Sequence, residues 1–346
     1  MKGLSARAVC SVVILVSGPA CTALKPDDFP NAPSDADGVD ANADDSGTLS
    51  DDAGRRDASS SDAGATRDGA DAGSGPCDLT RPFDPPRQVA GLTSFLGAVG
   101  DLRLSPDLLT GYFSAQGGDA GPTYNLYTAT RPEAGAPFAS ITPIVGPGIN
   151  NGNDVISPTV RGDGEFLIYA RTNAPNGAER SLFWATRASA GAPFDDRGAL
   201  PSFDDAGATA VTTPYLREDG AVLYFASNAT PISMLDIYRA TWNGSRLDGQ
   251  SLLANVNSFK NDFGPVITPD ELTLFFTSDR NGGLDIWMAT RGSTNVPFSA
   301  PVSVMELNTQ DAEWPTFVTR DGCTLYLSSN RQPYGITQYV ASRPAR

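Results

Sequence analysis

The chain has 346 residues, no histidine, and a formal net charge of −15 from 40 acidic and 25 basic side chains. The missing imidazole excludes Ser-His and Cys-His nucleophilic mechanisms and removes the commonest general base and the commonest zinc ligand. The acidic balance, without any basic cluster, argues against nucleic acid and anionic lipid surfaces as partners.

Residues 1–20 read as an export signal. Lys2 and Arg7 precede or flank a short apolar stretch, and small residues lead to Cys21. The apolar run is too short to cross a bilayer as a helix. Gly18-Pro19-Ala20 before Cys21 resembles a bacterial lipoprotein cleavage box, with Cys21 as the lipidated N-terminus and Thr22 directing it to the outer membrane; ordinary secretion is the alternative. Residues 21–76 follow as a tether of Asp, Ala, Gly and Ser. Its part from Thr22 on carries 13 Asp and no Glu, for a net charge of −9. Such a composition buries too little apolar surface to offset its ordering entropy, so disorder is expected. Asp35, Asp37 and Asp40 loosely resemble a calcium loop, but no twelve-residue loop with a terminal Glu follows.

From residue 77 onward a pattern repeats five times. Each copy has a Pro or Leu, an Asp five or six residues on, an apolar run, a polar turn, and a second apolar run ending in Ala-Thr-Arg or a relative of it. The shared Asp falls at Asp107, Asp163, Asp219, Asp270 and Asp321, in steps of 56, 56, 51 and 51 residues. A period near 50 built from short apolar runs implies a β-propeller. Three strands per copy are clear; in the fourth copy they are expected at 265–268, 272–278 and 285–291. A weaker fourth strand follows a Pro-Phe pair at Pro137, Pro193 and Pro297, while the third copy has Arg246-Leu247-Asp248-Gly249 instead. The last copy lacks its fourth strand at the C-terminal end, and the same Pro-Phe spacing recurs at Pro82. A strand at about 87–92 is therefore expected to complete the last blade and latch the ring. The fold class is all-β, a single propeller over 77–346 with five four-stranded blades; six is the alternative if 94–100 hides a degenerate strand.

Cys10 leaves with the signal, so Cys77 and Cys323 remain as an even pair for an oxidising compartment. Cys77 precedes the latch strand on the face where strand one turns into strand two, and Cys323 begins strand two of the last blade. A disulfide across the ring closure is expected; two free thiols are the alternative.

The string Ser-Asp-Arg-Asn-Gly-Gly-Leu-Asp-Ile-Trp at 278–287, after Thr268-Pro269-Asp270, resembles the WD40-like repeats of TolB-type propellers. Arg217-Glu-Asp-Gly220 with Asp236-Ile237-Tyr238, and Arg320-Asp-Gly322 with Ser329-Asn330-Arg331, match in part. The resemblance implies the propeller fold and an envelope setting, and implies little about function. Signal, tether and propeller together look like predicted lipoproteins of myxobacterial type.

Propeller ligands usually sit at the channel mouth, where strand four of one blade leads to strand one of the next. Those loops hold Asn150, Asn151 and Asp154; Asn257 and Asp262; and Asn308, Asp311 and Glu313, with Trp314 beside them. The ligand candidates are Asp154, Asp262, Asp311, Glu313 and Trp314. Asp154, Asp262 and Asp311 are the candidate Ca²⁺ ligands, and no other cofactor is implied. The bland alternative is that these side chains fix their own turns. The repeated Asp residues read as hairpin chemistry. Arg131, Arg187, Arg291 and Arg343, which end strand three, read as paired cations rather than a positive ring. Trp184, Trp242 and Trp287 read as blade packing. The leading function is a non-enzymatic scaffold that binds an envelope protein or a glycan as a monomer and touches the membrane only through its lipid. The alternative is a propeller that binds or hydrolyses glycans with channel-mouth carboxylates.

Overall fold

A computed structural model describes residues 77–92, 97–117, 123–173, 179–200, 208–229, 234–331 and 335–346. Residues 1–76, where the export signal, Cys21 and the tether are expected, lie outside the described residues. The rest forms five antiparallel four-stranded sheets, a five-bladed propeller. Blade one is β2 (Val99–Leu104), β3 (Thr110–Gln116), β4 (Tyr124–Thr130) and β5 (Ala139–Pro143). Blade two is β6 (Val155–Val160), β7 (Phe166–Thr172), β8 (Arg180–Thr186) and β9 (Asp195–Ala199). Blade three is β10 (Val211–Leu216), β11 (Val222–Ser227), β12 (Asp236–Trp242) and β13 (Leu247–Leu252). Blade four is β14 (Asp262–Ile267), β15 (Thr273–Ser278), β16 (Asp285–Thr290) and β17 (Val302–Ser303). Blade five is β18 (Glu313–Val318), β19 (Thr324–Ser329) and β20 (Thr337–Ser342), and β1 (Arg87–Gln88) pairs with β20 to complete it. Of the segment 94–100, where a degenerate strand would have meant six blades, 94–96 lie outside the described residues, and Val99 and Gly100 open the first strand of blade one.

The first strand of each blade touches the first strand of the next, and β18 meets β2, so the ring closes around a central channel. The apolar runs are continuous because each blade is covered on both faces. Leu223 to Ala226 and Leu274 to Phe276 are wholly buried. Strands four of blades four and five are only two residues long, shorter than their sequences imply. Pro85, Pro86 and Pro301 stand beside them and have no N–H to donate to a ladder.

Every first strand carries a register shift, between Gly100 and Arg103, Ile156 and Thr159, Thr212 and Tyr215, Phe263 and Val266, and Pro315 and Phe317. Four of these bulges hold a left-handed residue: Asp101 (φ 56°), Ser157 (52°), Thr213 (46°) and Gly264 (63°). The first three carry side chains and are strained there. They are held by contacts between blades. Asp101 accepts from the Ser157 N–H and hydroxyl, each at 3.1 Å, and the Gly264 N–H donates to Thr213 Oγ1 at 3.1 Å.

The ring closure has four fastenings. Cys77 and Cys323 form a disulfide with Cα atoms 5.7 Å apart. Cys77 bridges Ala345 through the backbone, and the Asp84 and Val89 N–H groups donate to Ser342 and Gln338 carbonyls. Phe83 is buried, edge-on to Phe275 at 6.0 Å. Gln338, itself buried, ties blade five to blade one by donating to the Val99 carbonyl at 2.8 Å.

Candidate functional site

The loop face, where strand four of one blade leads to strand one of the next, carries the carboxylates singled out by sequence. Asp262 and Glu313 are the first residues of β14 and β18, and both are wholly buried. Asp262 pairs with Arg280 and accepts the Ser258 N–H at 2.6 Å. Glu313 pairs with Arg331 at 3.3 Å and accepts from the Thr309 N–H and hydroxyl and the Ser329 hydroxyl. Asp154, just before β6, is buried and accepts the Tyr124 N–H at 2.9 Å. Asp311 is half-buried, and its backbone N–H donates to Thr309 Oγ1. Trp314 is buried inside β18.

The neighbouring asparagines do one repeated job. Asn150, Asn257 and Asn308 each accept a strand-three N–H, from Leu126, Ile237 and Ile286, and donate back to that residue's carbonyl. The loop-face polar residues thus fix turns and bind blade to blade. Asp154, Asp262 and Asp311 are not brought together, and no cluster of three or more Cys, Asp or Glu fit for a metal occurs among the described residues. This donor set does not fit Ca²⁺, which takes six to eight oxygens.

The Ser-Asp-Arg and Ser-Asn-Arg strings explain themselves in the same geometry. Arg280 and Arg331 each donate Nε to the preceding Ser (278 and 329). Each also donates Nη2 to a loop carbonyl, of Val256 or Leu307, and to the buried acid that starts the same blade.

On the opposite, hairpin face all five repeated Asp residues accept the N–H two positions on, at 2.9–3.0 Å. Asp107 is held below the ordinary carboxylate range by the Ser105 hydroxyl and the Leu109 N–H. Asp219 is lowered chiefly by Arg217. These are turn-forming aspartates.

The strand-three arginines are also absorbed. Arg131, Arg187, Arg291 and Arg343 each lie over the Phe of a Pro-Phe pair, Phe138, Phe194, Phe298 and Phe83, at 4.6, 4.3, 4.4 and 4.2 Å. Arg131 and Arg187 reach across to the Tyr326 and Tyr112 hydroxyls of the neighbouring blade. Blade three lacks both members of the pair. Trp242 stands at the Arg position and packs on Phe166 at 5.4 Å and Trp184 at 5.3 Å, and Leu247 is buried in place of Phe.

Between blades three and four, Glu271 is nearly fully buried and meets Arg217, Arg239 and Arg291 at 2.8, 3.3 and 3.3 Å. Nothing in the repeat pattern marked it, because the other copies have Leu, Gly, Gly and Gly after the shared Asp.

The site that sequence reasoning missed lies on the hairpin face. A cavity of about 200 Å³ is lined by equivalent residues of all five blades, Leu104, Val160, Leu216, Ile267 and Val318, and therefore lies on the ring axis. Tyr112, Tyr215 and Phe317 add aromatic wall. Its one deeply buried charge is Arg103, 5% exposed. Arg103 Nε and Nη1 have no hydrogen-bond partner, Nη2 donates to the Pro214 carbonyl at 3.4 Å, and the guanidinium lies 4.7 Å from the Tyr215 ring centre. Desolvation pushes its pKa down to about 10, which leaves it protonated at neutral pH. The arginines at the rim are all paired: Arg161 with Asp163, Arg217 with Asp219 and Glu271, and Arg320 with Glu218.

No protein-family model matches the chain, and no curated protein matches it. Solved structures similar to it include Zg3597, a family 117 glycoside hydrolase from the marine bacterium Zobellia galactanivorans. That protein is 12% identical, with a TM-score of 0.52 over 77% of this chain and 90% of that one. TolB from Acinetobacter baumannii is 12% identical, with a TM-score of 0.39 over 72% of this chain and 56% of that one. A thermostable family-43 glycoside hydrolase is 14% identical, with a TM-score of 0.48 over 75% and 91%. The chain thus spans little more than half of that TolB. The likeness to Zg3597 shows the fold alone, and the two weaker ones add nothing to it.

Proposed function

We propose that this protein is a non-enzymatic binding propeller, held at the bacterial cell envelope by a lipid on Cys21 and the acidic tether of residues 21–76. The observation that carries the reading is how the loop-face carboxylates are used. A glycosidase needs two carboxyl groups free to act as acid and as base or nucleophile. Asp262 and Glu313 are wholly buried and each pairs with an arginine of its own blade. The axial cavity, by contrast, joins apolar wall to one unpartnered cation, which is the make-up of a ligand pocket. The envelope assignment rests on the residues before Cys21 and on the tether composition. The partner is an envelope protein or a small ligand, and the propeller acts as a monomer.

One observation favours a second reading, a glycan-active propeller. The Asp285 carboxyl is held above its ordinary range by burial and by the nearby charge of Glu313. A carboxyl held protonated beside a second carboxylate is what a general acid and its partner require. Two experiments decide. Incubation of the full-length protein with a broad glycan panel is expected to give no hydrolysis; turnover that Asp285→Asn abolishes would replace the first reading with the second. Metabolic labelling with a radioactive fatty acid is expected to mark the wild type and not Cys21→Ala; equal labelling would remove the anchor.

A further inference from the structure

We propose that the axial cavity on the hairpin face binds a small organic acid, with Arg103 as counter-ion to its carboxylate and the five-blade apolar collar around its body. The inference rests on the binding reading above and names the ligand class.

A buried guanidinium ordinarily has a carboxylate or a full set of carbonyl acceptors. Among the described residues Arg103 has one long hydrogen bond and no ion pair. The nearest acid along the strand, Asp101, has its carboxylate engaged by Ser114 and Ser157 at 3.1 Å. Stacking on Tyr215 holds the guanidinium plane at the cavity wall but accepts none of its N–H groups.

The position confirms that the charge is not a requirement of the fold. Four residues before the shared Asp, the five blades carry Arg103, Thr159, Tyr215, Val266 and Phe317. These occupy equivalent places in the ladder, opposite Tyr112, Ile168, Tyr224, Phe275 and Tyr326. Four blades fill the place with an uncharged side chain, and one places a cation there.

The ligand class follows from charge and size. Because Arg161, Arg217 and Arg320 are already paired, and the rim carboxylate of Asp107 is taken up by the Ser105 hydroxyl and the Leu109 N–H, Arg103 is, among the described residues, the one cation of the cavity wall without a carboxylate partner. One guanidinium in an apolar wall matches a monoanion, and a planar carboxylate matches its geometry. A phosphate dianion would need a second free cation. At about 200 Å³ the cavity is smaller than the roughly 300–1,000 Å³ of drug-sized sites, so the occupant is a small molecule.

The test uses the full-length protein, calorimetry and thermal denaturation. The probes are benzoate and hexanoate, their neutral amides benzamide and hexanamide, and inorganic phosphate. The expected result is that a carboxylate binds and raises the melting temperature, with its amide at least tenfold weaker and phosphate without effect. Arg103→Met should abolish carboxylate binding and leave the unliganded melting temperature equal or higher, because it removes a buried charge with no partner. A purely structural Arg103 would instead lower it. Should Arg103→Met not fold, Arg103→Lys carries the test: the preference for acid over amide must persist with the charge. Equal binding of acid and amide would overturn the inference and leave the binding reading standing. Binding of phosphate in place of the carboxylates, retained carboxylate binding in Arg103→Met, or no binding of any probe would also overturn it. Glycan turnover would count against the binding reading and not against this pocket.

Discussion

The ring closure offers the sharpest stability prediction. The Cys77–Cys323 disulfide spans 246 residues, almost the whole folded unit. The chain-entropy expression for a cross-link of that span gives about 5.5 kcal/mol at 25 °C, and residual structure in the denatured chain brings the expected value to about 3–5 kcal/mol. The remaining closure is thin. Strand β1 adds two residues to the sheet, backed by Phe83, Val89 and Leu92 in the core. Replacing both cysteines with serine should lower the urea midpoint and the melting temperature, the latter by about 10 °C at roughly 2–4 °C per kcal/mol for a unit of this size. The measurement is equilibrium urea denaturation of the oxidised wild type and the double variant, followed by tryptophan fluorescence. A loss below about 1 kcal/mol at unchanged m-value would refute the entropic account and show that β1 pairing and the apolar latch close the ring unaided.

Glu271→Gln should cost about 3 kcal/mol, since it leaves Arg239 and Arg291 without their carboxylate at a buried blade interface; a double-mutant cycle with Arg291→Met that shows no coupling would contradict it. Asp262→Asn and Glu313→Gln should each lower the melting temperature clearly, because each strands a largely buried arginine; unchanged melting would mean that the pairs do not hold the loop face. The folded-state pKa values of Asp107, Asp163 and Asp219 lie below their ordinary 3.8. For Asp163, burial pulls upward but is outweighed by Arg161 and the Glu165 N–H. Depressed carboxyls contribute stability that is present above the unfolded pKa and lost as pH falls through the folded one. The melting temperature should therefore hold from pH 7 to about 5 and fall below about 4, and the triple Asp→Asn variant should show a shallower fall.

Much of the fold is readable along the chain because a propeller repeats its chemistry. The shared Asp marks the same hairpin five times, and in each the side chain accepts the N–H two residues on. The Pro-Phe pair at Pro82 locates the strand that completes blade five, since Phe83 receives Arg343 as Phe138 receives Arg131. The third copy loses its Arg and its Phe together because the two are one contact, and Trp242 fills the gap with aromatic packing. Strand ends are less legible. Asp262 and Glu313 look like loop acids in sequence, but the bulge beside them extends β14 and β18 to include both, and their arginine partners lie 18 residues on.

The axial cavity escaped for a related reason. Sequence reasoning favours polar loops as binding sites, and it therefore searched the loop face, where Asp and Asn cluster. Those residues are turn and blade fastenings. Arg103 is hidden inside Leu102-Arg103-Leu104, where an alternating charge reads as a solvent-facing strand position. In a first strand of a propeller no side faces bulk solvent: neighbouring blades cover both faces, and residues of both sets, such as Arg103 and Leu104, border the axial cavity. A charge in that strand is therefore buried whichever way it points, and only its column reveals it. Aligned on the shared Asp, Arg103 stands against Thr159, Tyr215, Val266 and Phe317. In a repeat protein the fold is written in what the copies share; where one copy alone buries a charge, a partner such as the arginines around Glu271 marks a fastening, and the lack of one at Arg103 marks the candidate site.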